Sequence, residues 1–352
     1  MKKILIIAIT LLSLSLIFIV ACGDNQSDAD GGVVYVHNWQ YFIDPSVLDQ
    51  FEEEYGIRVI YRYFENNETL YAAMNVGGMI ADVIIPSDYM IARMIEEDML
   101  YEINLDNIPN HELIDPRFRG LEFDPDNRFS VAYKVGTTGI IYNPTLVDFE
   151  VTGWEALFDE RLAGQILMFD NPRDAFGVAL QYLGYSINTV NEDEIHAAFE
   201  ILVAQNDILQ AYVMDQIFDK LEGEEAWIGP WYAPDFLTMY AVNPDLNFVR
   251  PHQGTNFFVN AMVVPRGSEN RENAELFINF MSRTDIALAN MRYVKYAAAN
   301  YEAAAIFYEE LDPQYRDVVF VGPEDYARTE VFLHLPQHIL ELYDRLWVEL
   351  RR

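Results

Sequence analysis

The chain is 352 residues long, 51% hydrophobic and 14% aromatic, with 56 acidic against 23 basic side chains and a formal charge of -33. The apolar content excludes intrinsic disorder, and the length suits two domains of ordinary size. The charge excludes nucleic acid, which needs a basic stripe, and argues against direct adhesion to anionic lipid. It suits solubility in an alkaline or saline medium outside the cell, and a field that gathers cations.

Residues 1–21 read as a signal peptide, opened by Lys2 and Lys3 and continued by the apolar run 4–20. Cys22 is the single cysteine, so no internal disulfide can form. Its place directly behind an export signal needs a reason. Ile19-Val20-Ala21-Cys22 resembles a bacterial lipobox, which implies that Cys22 is lipidated and becomes the new N-terminus. Residues 22–32 then form a polar, glycine-bearing tether.

Residues 33–37 predict the first strand. Asp44-Pro45 opens a helix with Val47, Leu48, Phe51 and Tyr55 on one face and Gly56 as its stop. Strand 57–63, helix 68–75, strand 81–86 and helix 89–97, capped by Ser87, follow. This alternation predicts a parallel α/β sheet. Residues 104–126 are loop-rich, and Asp124–Asn127 lacks the pattern of a calcium loop. Residues 130–135 and 138–143 read as two strands around Gly136, and Thr152–Glu155 as a capping box. Further on come helix 191–206, a Trp/Gly/Pro-rich loop at 226–234, and strands 248–251 and 257–265. Helices 270–282, 285–291, 300–310 and 336–351 complete the chain. No linker divides it. Crossings near 139–142 and 258–265 would give two lobes interleaved in sequence.

Residues 165–177 form the most informative stretch. Residues 166–169 are a short apolar strand, Asn171 can cap a helix, Pro172 suits its first turn, and Asp174 suits the positive helix end. Such strand-to-helix corners face the ligand crevice of α/β sheets. No nucleophile elbow or phosphate loop is present, and Gly136-Thr-Thr-Gly139 is too short for a dinucleotide fingerprint. His334 and His338 flank Pro336 with no obvious third ligand, so no metal site is expected. A secreted hydrolase using Asp170 and Asp174 stays open as an alternative. Several aromatic residues stand at strand ends: Trp39, Tyr41 and Phe42 follow the first strand and Tyr89 the third, while Trp231 and Tyr232 sit in the Trp/Gly/Pro-rich loop, Phe257 and Phe258 on the crossing strand, and Tyr293 and Tyr296 after a helix. An aromatic box with a few carboxylates suits an ammonium ligand.

Nearly the whole mature chain resembles the spermidine/putrescine-binding proteins of ABC importers. The resemblance is carried by Asn38-Trp39 with Asp44-Pro45, Gly56–Ile60, Glu65–Thr69, Asp82–Tyr89, Thr152-Gly-Trp154, the segment 170–176, Leu183-Gly-Tyr185 and the segment 274–281. It implies an α/β, two-lobe periplasmic-binding-protein-like fold of type II with lobes joined by crossing strands. The expected lobes are 33–141 plus 264–300, and 142–263 plus 301–352. It also implies a receptor rather than an enzyme, without a cofactor. The receptor would hand a small amine to a membrane permease driven by a separate ATPase, and would touch the membrane only through its lipid. The implied ligand-binding residues are Trp39, Gln40, Tyr41, Phe42, Ser87, Tyr89, Asn171, Asp174, Trp231, Phe258, Asn260 and Tyr296. Asn171 and Asn260 stand where polyamine binders of the family usually carry aspartate, and Lys295 adds a positive charge beside Tyr296. Either other acids, such as Asp88, Asp170 or Asp215, have moved in, or the ligand is a less cationic solute.

Overall fold

The structure is a computed structural model that describes residues 31–352. The expected signal peptide, Cys22 and most of the tether lie outside the described residues. Among those described, no helix is long and apolar enough to cross a membrane.

The first lobe starts as expected. Strand β1 (Val33–Trp39) pairs in parallel with β2 (Arg58–Phe64) and β3 (Val83–Ile84). The helix Pro45–Tyr55 connects β1 to β2. Asp44 caps it by accepting from Ser46 N, and Gly56 ends it at φ 64°, a left-handed backbone that glycine adopts without strain. Its Phe51 ring packs edge-on against Phe277 and Phe280 of the helix Arg271–Met281, at 5.2 and 5.3 Å between centroids.

Strand β4 (Ser130–Tyr142) is one strand of 13 residues, buried throughout, where two had been expected. The remaining strands are β5 (Ile166–Phe169), β6 (Leu209–Val213), β7 (Ile228–Tyr232), β8 (Asn247–Val249) and β9 (Thr255–Val263), with two-residue strands β10 (Ala297–Ala298) on β4 and β11 (Thr329–Glu330) on β9. They run in the order β2-β1-β3-β9-β4-β7-β5-β6, with β8 paired to β4. The sheet is mixed rather than parallel, because β9 lies antiparallel to both β3 and β4, and β7 antiparallel to β4. Long strands that cross between lobes return directly and need no crossover helix.

Up to Thr137, β4 pairs with β9; from Thr138 onward it pairs with β7, and from Ile140 with β8. Two buried clusters follow this division. One contains Val34 through Val135 and Phe257 through Phe307, with Val319 and Phe332; the other contains Ile140 through Leu246 and Leu335 through Leu350. The expected boundary at 263/264 therefore needs correcting. Phe257–Val263 pairs along its length with the first half of β4, so it packs with the first lobe, as do Ala303 and Phe307. The second passage between lobes precedes β9 instead of lying within it.

Smaller departures have local causes. Thr152–Glu155 makes a side-chain pair at 3.0 Å but opens only the short 3-10 turn Trp154–Phe158. The helices Gln216–Glu222, Asp235–Val242 and Pro313–Val319 were not foreseen; each is short, and Pro234 or Pro313 stands at the start of two.

Candidate functional site

A cavity of about 300 Å3 opens between the two clusters. The ends of β1 and β7 and the corner after β5 supply much of its wall, the usual ligand position in α/β sheets. Every ligand-binding residue expected from the sequence lines it, Trp39 through Tyr296. Tyr41 stands at φ 55° and is 73% exposed, whereas Phe42 turns inward and meets Tyr296 edge-on at 4.7 Å.

On the first lobe, Trp39 Nε1 donates to Ile85 O at 2.8 Å, which fixes the indole beside Phe64. Ser87 makes no side-chain cap to its helix, Asp88–Glu96; its Oγ instead accepts from Asn260 Nδ2 at 3.2 Å. Tyr89 donates its hydroxyl to Glu68 at 2.9 Å. Asp88 is fully buried, and both its oxygens are taken: Oδ1 by Tyr89 N at 2.7 Å and Oδ2 by Val259 N at 3.0 Å. Burial nevertheless pushes its carboxyl up to about 7. Asp88 is thus a strut between a helix start and β9.

Strand β9 places Asn256, Phe258 and Asn260 on the cavity wall, since alternate residues share a face. Phe257 points the other way, into a separate recess with Phe118 and Tyr326. The Gly136 backbone lies under the Phe258 ring, and a Cβ there would come within 2.6 Å of Phe258 Cζ. Gly136→Ala should therefore displace this ring at a cost of about 1–3 kcal/mol. Ligand affinity should fall several-fold while circular dichroism stays unchanged, and intact affinity would show that Phe258 is no part of the binding wall.

On the second lobe, Asn171 caps the helix Pro172–Tyr182, accepting from Asp174 N at 3.2 Å. Its amide donates to Asp174 Oδ2, which also accepts from the Tyr232 hydroxyl at 3.1 Å. Burial raises the Asp174 carboxyl to about 6, against the pull of these two donors. Asp170 leans to the rim, where Arg351 Nη2 lies 3.3 Å from its Oδ2. Trp231 stacks on Phe169 with centroids 5.4 Å apart, and its Nε1 donates to Asp235 Oδ2 at 2.9 Å. The Tyr296 hydroxyl donates to the same oxygen at 2.8 Å, from the other lobe. Burial pushes Asp235 up to about 7. Asp215 also rises through burial, with Glu65 adding to the shift.

Sequence reasoning missed Asp235 and Asn256, and counted Tyr232 only as an aromatic of the Gly/Pro-rich loop. The one available signal for Asp235 was its place four residues after Trp231 in a Pro-bearing corner. It also missed Lys134, which is fully buried on β4 opposite Asn260. Lys134 Nζ donates to Phe42 O at 2.6 Å and lies 4.3 Å from the Phe42 ring centre and 4.8 Å from that of Tyr133. Burial holds its pKa well below the usual lysine range. Lys295, expected beside Tyr296, instead bends to Arg292 O at 2.5 Å and does not line the cavity. Tyr293 likewise stays outside, 57% exposed. His334 lies 3.4 Å from Glu96 on the surface side.

Aromatic faces combined with carboxylates in a cleft stabilise an alkylammonium: each cation–π contact contributes about 0.5–2 kcal/mol, and charge-assisted hydrogen bonds add to this. The profile of the bacterial extracellular solute-binding proteins matches residues 46–317. The spermidine/putrescine-binding periplasmic protein of Escherichia coli (strain K12) is 33% identical over 296 residues, spanning 83% of this chain and 85% of the relative. The putrescine/cadaverine-binding protein of Pseudomonas aeruginosa is 26% identical over 336 residues, 90% of this chain and 93% of the relative. Among solved structures, the spermidine/putrescine ABC transporter substrate-binding protein PotD of Streptococcus pneumoniae superposes with a TM-score of 0.78 at 32% identity, covering 91% of this chain and 98% of that one. The Tp0655 (TpPotD) lipoprotein of Treponema pallidum superposes with a TM-score of 0.81 at 25% identity, covering 90% and 99%. With the family profile over most of its length and the two-lobe type II architecture of these neighbours, the chain belongs to the bacterial extracellular solute-binding proteins.

Proposed function

We propose that this protein is the extracytoplasmic receptor of an ABC importer, taking a polyamine or related amine into the cleft between its lobes. The observation that carries this reading is the charge of the cavity wall. Among the described residues it includes Glu65, Asp88, Asp170, Asp174, Asp215 and Asp235, and no lysine, arginine or histidine. The names of the relatives support it. Ligand would bridge the lobes and favour a closed form, which docks on a permease driven by a separate ATPase. Lipid on Cys22 would hold the receptor at the cell membrane.

Two alternatives compete. A hydrolase needs Asp170 and Asp174 to work on one substrate, but Asp170 is engaged by Arg351 at the rim. A less cationic solute is favoured by the neutral Asn171 and Asn260. A thermal-shift series on the purified mature chain separates these readings. Putrescine or spermidine at about a hundred times its Kd should stabilise the fold by about 2.7 kcal/mol, or roughly 5 °C in Tm. A neutral sugar should do nothing. A shift with the sugar and none with either amine would overturn the amine reading.

A further inference from the structure

We propose that Asp235 determines ligand specificity: it takes one ammonium of an α,ω-diamine unit while Asp174 takes the other. This rests on the amine reading above and names the ligand geometry within it.

The three most buried acids of the wall differ in what their oxygens do. Asp88 has a backbone donor on each oxygen and nothing left to offer. Asp174 and Asp235 share another pattern. Each accepts two side-chain donors on Oδ2, Asn171 and Tyr232 for one, Trp231 and Tyr296 for the other. Neither Oδ1 receives a hydrogen bond from any described residue, and both side chains line the cavity. A carboxylate held rigidly through one oxygen, with the other facing a cleft, is built to receive a cation.

The ground between these two acids is apolar. Tyr232, bonded to Asp174, and Trp231, bonded to Asp235, are chain neighbours whose ring centres lie 5.0 Å apart, and Phe258 meets Tyr232 edge-on at 5.4 Å. In the proposed arrangement a short alkylene chain would lie over these rings with an ammonium at each end. A further acceptor waits on β9: Asn256 is 5% exposed, lines the same cavity, and its Oδ1 is buried without a partner among the described residues. A buried carbonyl oxygen left unpaired is costly and points to a donor that arrives with the ligand.

The same arrangement accounts for the neutral Asn260. Its partner across the β4–β9 ladder is Lys134, so an acid at 260 would lie beside an amine of the protein itself. Asp235 sits on the helix Asp235–Val242 of the other lobe and offers its charge from the opposite side.

Calorimetric titration with putrescine and with butylamine, on the wild-type protein and on Asp235→Asn, Asp235→Glu and Asp174→Asn, tests this. Asn keeps an acceptor for Trp231 and Tyr296, so the fold should persist. Putrescine affinity should fall about thirty- to a hundredfold in D235N and in D174N, while butylamine, needing only one acid, should change less than about threefold in D235N. D235E should recover most of the putrescine affinity. If D235N binds putrescine within about threefold of wild type, the role of Asp235 is overturned and the amine reading stands. If D235N weakens both amines equally and D235E fails to rescue, Asp235 is merely structural. If the wild-type protein binds neither amine, both the role of Asp235 and the amine reading fall.

Discussion

Affinity for a diamine should fall on the order of a thousandfold between about pH 8 and about pH 5. The cause is the two carboxyls proposed to meet the ligand. Burial raises Asp174 to about 6 and Asp235 to about 7. Around Asp174, Tyr232, Asn171 and Arg173 favour the charged form and Glu68 opposes it. Around Asp235, Tyr296, Trp231 and Lys134 favour the charged form and Asp215 opposes it. An alkylammonium stays protonated across this range, whereas each acid must lose its proton before it can pair. Below its own pKa, each costs about tenfold in affinity per pH unit. From 7 down to 5 that is about two decades for Asp235; from 6 down to 5 it is about one for Asp174. Together they amount to about 4 kcal/mol.

The sign for the empty protein is opposite. Both carboxyls titrate above their ordinary unfolded values, so their contribution to stability is present in acid and is lost as pH rises toward about 7. The Tm of the free protein should therefore decline over this interval from these groups, while the ligand-induced rise in Tm grows. Calorimetry in buffers of differing ionisation enthalpy should count protons released on binding below about pH 6. A pH-independent Kd would refute the assignment of these two acids.

Lys134→Met should make the protein more stable and, in alkaline solution, a better cation binder. The lysine is fully buried on β4, and among the described residues no carboxylate lies within ion-pair reach of its ammonium. Its hydrogen bond to Phe42 O is replaceable, because the Tyr133 hydroxyl donates to the same carbonyl at 3.0 Å. Methionine matches the stem in length and suits the contact with the Phe42 and Tyr133 rings. Exchanging a buried charge for a packed apolar group stabilises by about 1–3 kcal/mol. Here too the sign follows from the shift. Folding holds the lysine pKa below its ordinary value, so the penalty grows as pH falls from about 10, and the advantage of the variant should widen in that direction. Because Lys134 also favours the charged form of Asp235, the variant should raise diamine affinity several-fold only at about pH 8 and above, where Asp235 stays charged without it, and should move the acid-side loss of affinity to higher pH. Denaturant unfolding at several pH values, together with titration of putrescine, checks both. A destabilised variant would mean that Lys134 is held by its aromatic neighbours more strongly than desolvation opposes it.

Local chemistry made much of the molecule legible. The Asp44–Gly56 helix could be read from its cap, its apolar face and its stop. The corner Asp170–Asp174 could be read from a four-residue strand followed by an Asn-Pro helix start. The Gly136 and Gly139 pair was visible but looked like a break. In the structure these glycines let the tips of the Phe258 and Phe248 rings approach a continuous strand closely, a requirement set by neighbouring strands and not by sequence spacing. The lobe exchange was expected near 258–265, with the boundary at 263/264, the C-terminal end of β9. Only pairing with β4 decides which lobe it joins.

The amino-acid sequence by itself determined an acidic α/β chain with several aromatics and carboxylates near strand ends, whereas the two lobes were implied only by the family resemblance. The former properties are additive over residues and local in range, so composition and periodicity express them. Which acids face the ligand was decided by tertiary structure alone. Asp88, Asp170, Asp174 and Asp235 are the same residue type in similar capping contexts. They differ in whether a backbone amide, an arginine or an aromatic donor reaches them from another element, and those donors lie far away in the chain. Burial and donor geometry set the charge that each carboxylate can offer, and both arise only when the two lobes close around one cavity.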